Sequence, residues 1–373
     1  MKSFSIGELT IPVPVIQGGM GVGISLSGLA SAVANMGGIG VISTVGIGLI
    51  HPVKNSNYKK NNIDALRNEI RKARKKTNGV LGVNIMSVIT NFADMVRTSI
   101  EEGIDIIFAG AGLPLDLPKY LGESTRTKLV PIISSGRAAS IICHKWKQNY
   151  DYLPDALVVE GPKAGGHLGF KAETLENENN QLEHLVDNVL EVAVEMKNKY
   201  NKNIPVIAAG GIYSGADMFQ FLQQGASAVQ MGTRFVATNE CDASVKFKNA
   251  FVEADSADIQ IIKSPVGMPG RSLSNKFHRE AAEGKRKPRT CPYHCIKSCN
   301  PKTTPYCISK ALVAAYHGNL ENGFVFTGVN AGKVKKISSV RQVFKKLHKE
   351  YIRARKRHLK NFILTNPRKF EYG

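Results

Sequence analysis

The feature that most limits how this chain can fold is a rhythm. Short apolar runs rich in Val and Ile recur through the first 235 residues, each followed by a turn and a stretch of helical character. The runs are VPVIQGG (13–19), GGIGVIS (37–43), VLGVNIM (80–86), IDIIFAG (104–110), KLVPIISS (128–135), ALVVEG (156–161), IPVIAAGG (204–211) and AVQMGTRF (228–235). Their hydrophobicity is continuous rather than alternating, which suits parallel strands buried on both faces. Parallel neighbours need crossovers long enough for a helix. Helix-like segments lie where such crossovers belong: SLSGLASAVANM, NIDALRNEIRKARKK, NFADMVRTSIEE, GRAASIICHKWKQN, LEHLVDNVLEVAVEMKNKY and GADMFQFLQQG. Eight such units fit an α/β fold of the TIM (β/α)8 barrel type, whose usual size is about 250 residues. A doubly wound open sheet competes, but its Gly-x-Gly-x-x-Gly turn after the first strand is not cleanly present in QGGMGVGIS.

With 373 residues and 43% hydrophobic content, the chain can bury a sizeable core. Its start, MKSFSIGELTIPVPVIQGG, lacks the pattern of a signal peptide, and no apolar run approaches the roughly 18 residues of a membrane span. A cytoplasmic protein that does not cross a membrane is therefore expected. The formal charge of +20 is concentrated near the end: residues 333–373 carry 14 Lys and Arg against two Glu. Such a segment could receive nucleic acid, an anionic membrane or an acidic protein, or it could be the solvated face of an amphipathic helix. The helix reading carries more weight. No RNA-binding signature accompanies the charge, and aromatic residues are not interleaved as a base-stacking surface requires, so nucleic acid is disfavoured.

In a barrel, chemistry sits at the carboxyl ends of the strands. Here those ends are residues 17–20, 84–86, 134–136, 161–167, 210–212 and 232–234, where small residues dominate. In AAGGIYSGAD, Gly210 and Gly211 form a tight turn, Ser214 is an N-cap, and Asp217 completes a capping-box spacing. Free amides at such a helix start attract phosphate, and barrels commonly bind it after strands seven and eight. Gly232 and Thr233 in QMGTRF add an amide and a hydroxyl. Either glycine turn alone could be an ordinary loop; two on adjacent strands favour a phosphate-bearing cofactor.

The motifs QGGMG, GVNIM, EGPKAGGHLG, IPVIAAGGI and QMGTRF, in this order and spacing, resemble the nitronate monooxygenase family, also called 2-nitropropane dioxygenases. The flavin-dependent enoyl-acyl-carrier-protein reductases are similar and share the fold. The resemblance covers about residues 5–275, with an echo in ENGFVFTGVNAGKV. It implies a barrel holding FMN non-covalently. Gly19 and Met20 would run beside the isoalloxazine edge, Asn84 would hydrogen-bond the ring, and Gly165 and Gly166 would lie against it. Gly210, Gly211, Gly232 and Thr233 would hold the phosphate. Gln17, Ser134 and Gln230 are further candidates to line the cofactor or substrate, although turn capping explains them equally well.

His167 would then be the base or hydrogen-bond donor over the flavin. An imidazole of ordinary pKa near 6.5 can take the α-proton of a nitroalkane or hydrogen-bond an anionic nitronate. His144 and His184 fall in helical patterns away from strand ends and are expected at the surface. Lys163 stands where family members often carry an acidic residue, and Pro162 is also unusual there, so substrate specificity does not transfer with the motif.

A segment after the barrel holds Cys291, Cys295, Cys299 and Cys307. The first three are spaced by four, which on a helix puts them along one face. In a reducing compartment they read as an iron–sulfur site, less well as zinc because C-x2-C knuckles are missing, or as reduced structural thiols. The expected organisation is an FMN-binding barrel (1–260), an insert with the cysteines packed on it (261–332) and a basic C-terminal helix or tail (333–373).

The leading functional reading is oxidation of alkyl nitronates by O2 to a carbonyl compound and nitrite. The second is an NAD(P)H-dependent enoyl-thioester reductase, whose acidic carrier-protein partner a basic surface would steer. A third, of another class, is a regulatory or RNA-associated flavoprotein using the basic tail. A homodimer is compatible with each.

Overall fold

The computed structural model describes residues 1–50, 57–122 and 126–365. An N-terminal hairpin, β1 (Phe4–Ile6) and β2 (Leu9–Ile11), precedes the barrel. Eight parallel strands follow: β3 (Val15–Gln17), β4 (Gly40–Ser43), β5 (Leu81–Met86), β6 (Ile106–Gly110), β7 (Lys128–Ile133), β8 (Leu157–Glu160), β10 (Val206–Ala209) and β11 (Ala228–Met231). The two-residue strand β9 (Gly166–His167) lies outside this sheet. The order runs from β4 through β5, β6, β7, β8, β10 and β11 to β3. A parallel bridge between Ile16 and Ile39 joins the two ends, with Ile39 N donating to Val15 O and Gln17 N to Ile39 O, each at 3.0 Å. Every one of the eight apolar runs therefore supplies a barrel strand.

The continuous hydrophobicity of those runs has two destinations. Ile16, Val41, Ile106, Phe108, Val130, Val158, Ile207 and Ala228 point into the barrel, and Ile6 and Ile11 of the hairpin join them. The alternate residues Val15, Ile42, Ile107, Leu129, Val159, Ala208 and Val229 pack against the helices. Both faces are dry, as parallel strands between helices require.

The surrounding helices are α1 (Ser27–Asn35), α2 (Tyr58–Arg74), α3 (Phe92–Glu101), α4 (Gly136–Tyr150), α5 (Leu182–Tyr200) and α6 (Gly215–Gln224). Among the described residues after β6, a 3-10 turn, Leu117–Tyr120, takes the helix position. After β11 comes the single turn α7 (Thr233–Val236), and the chain then leaves the barrel through α8 (Val245–Glu253), β12 (Ile259–Lys263), β13 (Pro269–Leu273), α9 (Lys276–Ala282) and α10 (Ile308–Tyr316). It returns as α11 (Val340–Thr365), which packs between α6 and α1 and so occupies the eighth helix position.

The long basic segment is thus mostly a barrel helix. Val340, Val343, Phe344, Leu347 and Tyr351 form its buried stripe at helical spacing, while Lys345, Lys346, Lys349, Arg353 and Lys356 face outward. Phe344 packs on Phe235 with ring centroids 6.0 Å apart, and Tyr351 on Phe219 at 5.6 Å. Glu350 Oε2 accepts from Gly215 N at 2.9 Å, tying α11 to the start of α6. Among the described residues no helix is long and apolar enough to cross a membrane.

Replacing Phe344 by Ala should cost about 3–5 kcal/mol through lost burial and the cavity left behind. Replacing the exposed Lys346 by Ala should change stability by no more than about 0.5 kcal/mol. Urea unfolding of the two variants checks the pair; equal midpoints would mean α11 is not part of the barrel.

Candidate active site

The strand ends converge on one cavity of about 670 Å³. Its wall includes Gly19 and Met20 after β3, Asn84 on β5, Ser134 after β7, Gly165, Gly166 and His167 after β8, Gly210 and Gly211 after β10, and Gln230, Gly232 and Thr233 at β11. These are the residues that strand-end position and motif had singled out, with one exception. Gln17 is fully buried between β3 and β4: its Oε1 accepts from Val41 N at 3.1 Å, and its Nε2 donates to Val41 O at 3.2 Å and Gly18 O at 2.5 Å. A polar group consumed in tying the barrel's seam does not line the cavity.

The roof comes from the excursion between β11 and α11. Strand β13 pairs antiparallel with both β12 and β9, aligning Gly270 with His167 and Arg271 with Gly166. Arg271 is only 5% exposed, and its guanidinium donates to Pro162 O at 2.6 Å and Ala164 O at 2.5 Å. One buried cation thus folds the segment Glu160–His167 around itself, and burial holds its pKa below the ordinary value. Gly165 serves this packing as well: a Cβ there would lie 2.6 Å from Thr327 C and Gly328 N, so its missing side chain makes room for the roof and not for a ligand. Gly166 differs. Its φ of 75° favours glycine, and a Cβ there would meet nothing within 4 Å, so this face is open.

His167 is held from two sides. Its Nε2 lies 2.7 Å from Ser264 Oγ, and its ring meets Phe326 edge-on with centroids 4.9 Å apart. Burial lowers its pKa from 6.5 to about 4, so the imidazole is neutral at pH 7. Val266 N donates to Ser264 Oγ at 3.3 Å, leaving the Ser264 hydroxyl free either to donate to Nε2 or to accept from it. In the first tautomer the other ring nitrogen is a donor; in the second it is a base. Glu160 also lines the cavity, and burial raises its carboxyl to about 7.

At the seventh strand end the anticipated capping box is present. Asp217 N donates to Ser214 Oγ at 3.1 Å, while Asp217 Oδ2 accepts from Ser214 N at 2.8 Å and Tyr213 N at 3.0 Å. With Glu350 on Gly215 N, these bonds occupy the amides of Tyr213, Ser214, Gly215 and Asp217. Gly210 and Gly211, one step earlier, have φ values of 92° and 91° and line the cavity together with Gly232 and Thr233.

The cysteine segment departs from its expected form. Cys291, Cys295 and Cys299 are not on a helix, because Pro292 and the left-handed His294 (φ 45°) interrupt one, and Cys307 is the N-cap residue of α10. All four border one small cavity, but among the described residues no group of three or more His, Cys, Asp or Glu is arranged to hold a metal. Cys295 Sγ instead pairs with Ser309 Oγ at 3.1 Å, and Cys291 Sγ accepts from His294 N at 3.4 Å. Neither the iron–sulfur nor the zinc expectation finds support; the thiols are free.

Comparison with known proteins agrees with the barrel. The family model described as nitronate monooxygenase matches residues 2–350. The chain belongs to the nitronate monooxygenase family. FabK from Thermotoga maritima has the same fold, with a TM-score of 0.72 and 31% identity, covering 95% of this chain and 96% of that one. A probable nitronate monooxygenase of Staphylococcus saprophyticus is 26% identical over 293 residues, 73% of this chain and 78% of its own. A (3aS,4S,5R,7aS)-5-hydroxy-7a-methyl-1-oxo-octahydro-1H-indene-4-carboxyl-CoA dehydrogenase of Mycobacterium tuberculosis is 29% identical over 273 residues. The match takes in 73% of this chain but only 66% of that relative's length. As a nitronate monooxygenase family member, the protein is a flavin-dependent oxidoreductase.

Ser264 and Arg271 lie outside the quoted motifs, and Phe326 stands in the echo ENGFVFTGVNAGKV with no role attached to it; all three are in the excursion, far in sequence from the strand ends they complete. Glu160 stood inside the quoted motif, and only its burial distinguishes it. The site's order yields a pH prediction. A folded-state pKa below 6.5 means neutral His167 favours the fold above pH 6.5, and this contribution is lost as pH falls towards about 4. NMR of the ring nitrogens should show His167 titrating near 4 in the native protein. In Arg271→Met, which leaves two buried carbonyls unpaired at about 1–3 kcal/mol each, the titration should move up towards 6.5. A native titration at 6.5 would mean the ring is not enclosed.

Proposed function

We propose that this chain binds FMN in the strand-end cavity and oxidises alkyl nitronates with O2 to a carbonyl compound and nitrite. The observation that carries the reading is the neutral imidazole of His167, fixed by Ser264 and Phe326 beside the open face of Gly166. The cavity fits such a group: its size is in the range of about 300–1,000 Å³ typical of cofactor sites. Asn84 and Gln230 supply polar atoms for ring edges, and Gly210 and Gly211 a turn for phosphate. FMN, when bound, would supply the electron-transfer chemistry, leaving orientation and proton handling to the protein.

A nitronate arrives deprotonated, so His167 would chiefly donate a hydrogen bond to an anionic oxygen, in the tautomer where Ser264 donates to Nε2. With a neutral nitroalkane the other tautomer would accept the α-proton. Glu160, with its carboxyl raised to about 7, can hold a proton near neutral pH and so donate a hydrogen bond without adding full negative charge. The apolar ring of Phe326 and the roof strands limit water around His167.

A second reading is favoured by a specific observation. Two cations, Lys163 and Lys171, line the cavity, the chain carries +20 overall, and one relative's name describes action on an acyl-CoA. These suit an NAD(P)H-dependent reductase of enoyl thioesters, steered towards an anionic carrier. Anaerobic mixing separates the two: flavin bleaching by alkyl nitronate supports the oxidation, and bleaching by NADH or NADPH without it supports the reductase. With a neutral nitroalkane as donor, His167→Ala should lower the flavin-reduction rate by about 10²–10⁴-fold, and with a nitronate by less; a rate unchanged with every donor would remove His167 from the chemistry.

A further inference from the structure

Lys163 follows β8 in the segment that Arg271 gathers, and its surroundings give it a task. Its side-chain stem lies along the turn after β10: a Cβ placed on Gly211 would sit 2.8 Å from Lys163 Cβ and 3.3 Å from its Cδ. The roof ties both partners down, since Val329 N donates to Lys163 O at 3.3 Å and Asn330 Nδ2 to Gly211 O at 2.7 Å. Lys163 lines the cavity, and no carboxylate among the described residues stands within ion-pair distance of its ammonium. Gly210 and Gly211 are both at positive φ, and among the described residues Gly211 N donates to no protein acceptor. Lys163 is exposed as a residue, but its stem is seated on Gly211, and a lysine without an ion pair beside a glycine turn with a free amide can offer charge and direction to a dianion.

We propose that Lys163 is the cation of a phosphomonoester site, binding the flavin's phosphate together with the Gly210–Gly211 turn. This rests on the FMN reading above. It makes the lysine a determinant of FMN over riboflavin rather than a substrate contact. The turn amide supplies direction, and the lysine supplies charge. At the start of α6, which would ordinarily serve an anion, the amides of Ser214 and Gly215 are already taken by Asp217 and Glu350. A side-chain cation therefore takes over the role that free helix amides would have.

The test is titration of flavin-stripped full-length protein with FMN and with riboflavin, following flavin fluorescence, in wild type, Lys163→Met, Lys163→Arg and Lys163→Glu. Lys163→Met keeps the stem over Gly211 and removes only the charge. It should weaken FMN binding about tenfold and leave riboflavin within about twofold. Lys163→Arg should restore most of the FMN affinity, and Lys163→Glu should weaken it further. Added salt should weaken FMN binding more in wild type than in Lys163→Met. Equal losses for both flavins would show a merely structural lysine, and unchanged FMN binding would also overturn the proposal. So would unchanged FMN binding with a raised KM for NADPH or an acyl-CoA, which would hand the cation to a second substrate. Wild type that binds neither flavin would sink the FMN reading itself, whereas wild type that binds FMN as tightly as Lys163→Met sinks this proposal alone.

Discussion

The antiparallel pairing of β13 with the two-residue strand β9 is the contact on which the site depends. Gly166 and His167 follow β8 on a segment with no helix or barrel strand to hold it, and a free loop of that kind has little to fix a side chain. Alignment of Gly270 with His167 and of Arg271 with Gly166 gives it a sheet partner. The buried Arg271 guanidinium then gathers the carbonyls of Pro162 and Ala164 into the same structure. His167, Ser264 and Phe326 are brought together by this pairing, and the low pKa of the imidazole is its electrostatic consequence.

The barrel and the roof are built by one detour of the chain. After β11 the polypeptide makes only the single turn α7, crosses the catalytic face, and returns as α11 to fill the gap between α6 and α1. The fold is closed by a helix that arrives only after the roof has been laid down. The roof and the eighth helix are consequently bound to the barrel at both ends, through the β9–β13 pairing at one and the Phe344 and Glu350 contacts at the other. The cationic residues of α11, nine Lys and Arg against one Glu, are the outer face of that helix, so this share of the chain's positive charge is the solubilised side of a structural element.

Much of this could be read from the residues. The eight strands were legible because a parallel strand between helices must be apolar on both faces, which leaves uninterrupted runs of Val and Ile. The strand-end rule then marked Gly19, Asn84, His167 and Gly211, which do border one cavity. What could not be read depends on pairing over long separations. Nothing local in Ser264, Arg271 or Phe326 announces that each meets the β8–α5 segment. Gln17 has the position of a lining residue, but its amide is used up by Val41 across the seam. The cysteine spacing implies a shared face only on a helix, and Pro292 with the left-handed His294 removes that helix.

The most direct test of this account is a crystal structure of the FMN-loaded protein. The account predicts the isoalloxazine ring in the strand-end cavity against Gly166, with His167 over it and still bonded to Ser264, and the phosphate at Gly210 and Gly211. A flavin bound elsewhere, or a His167 turned out of the cavity with β9 detached from β13, would contradict it.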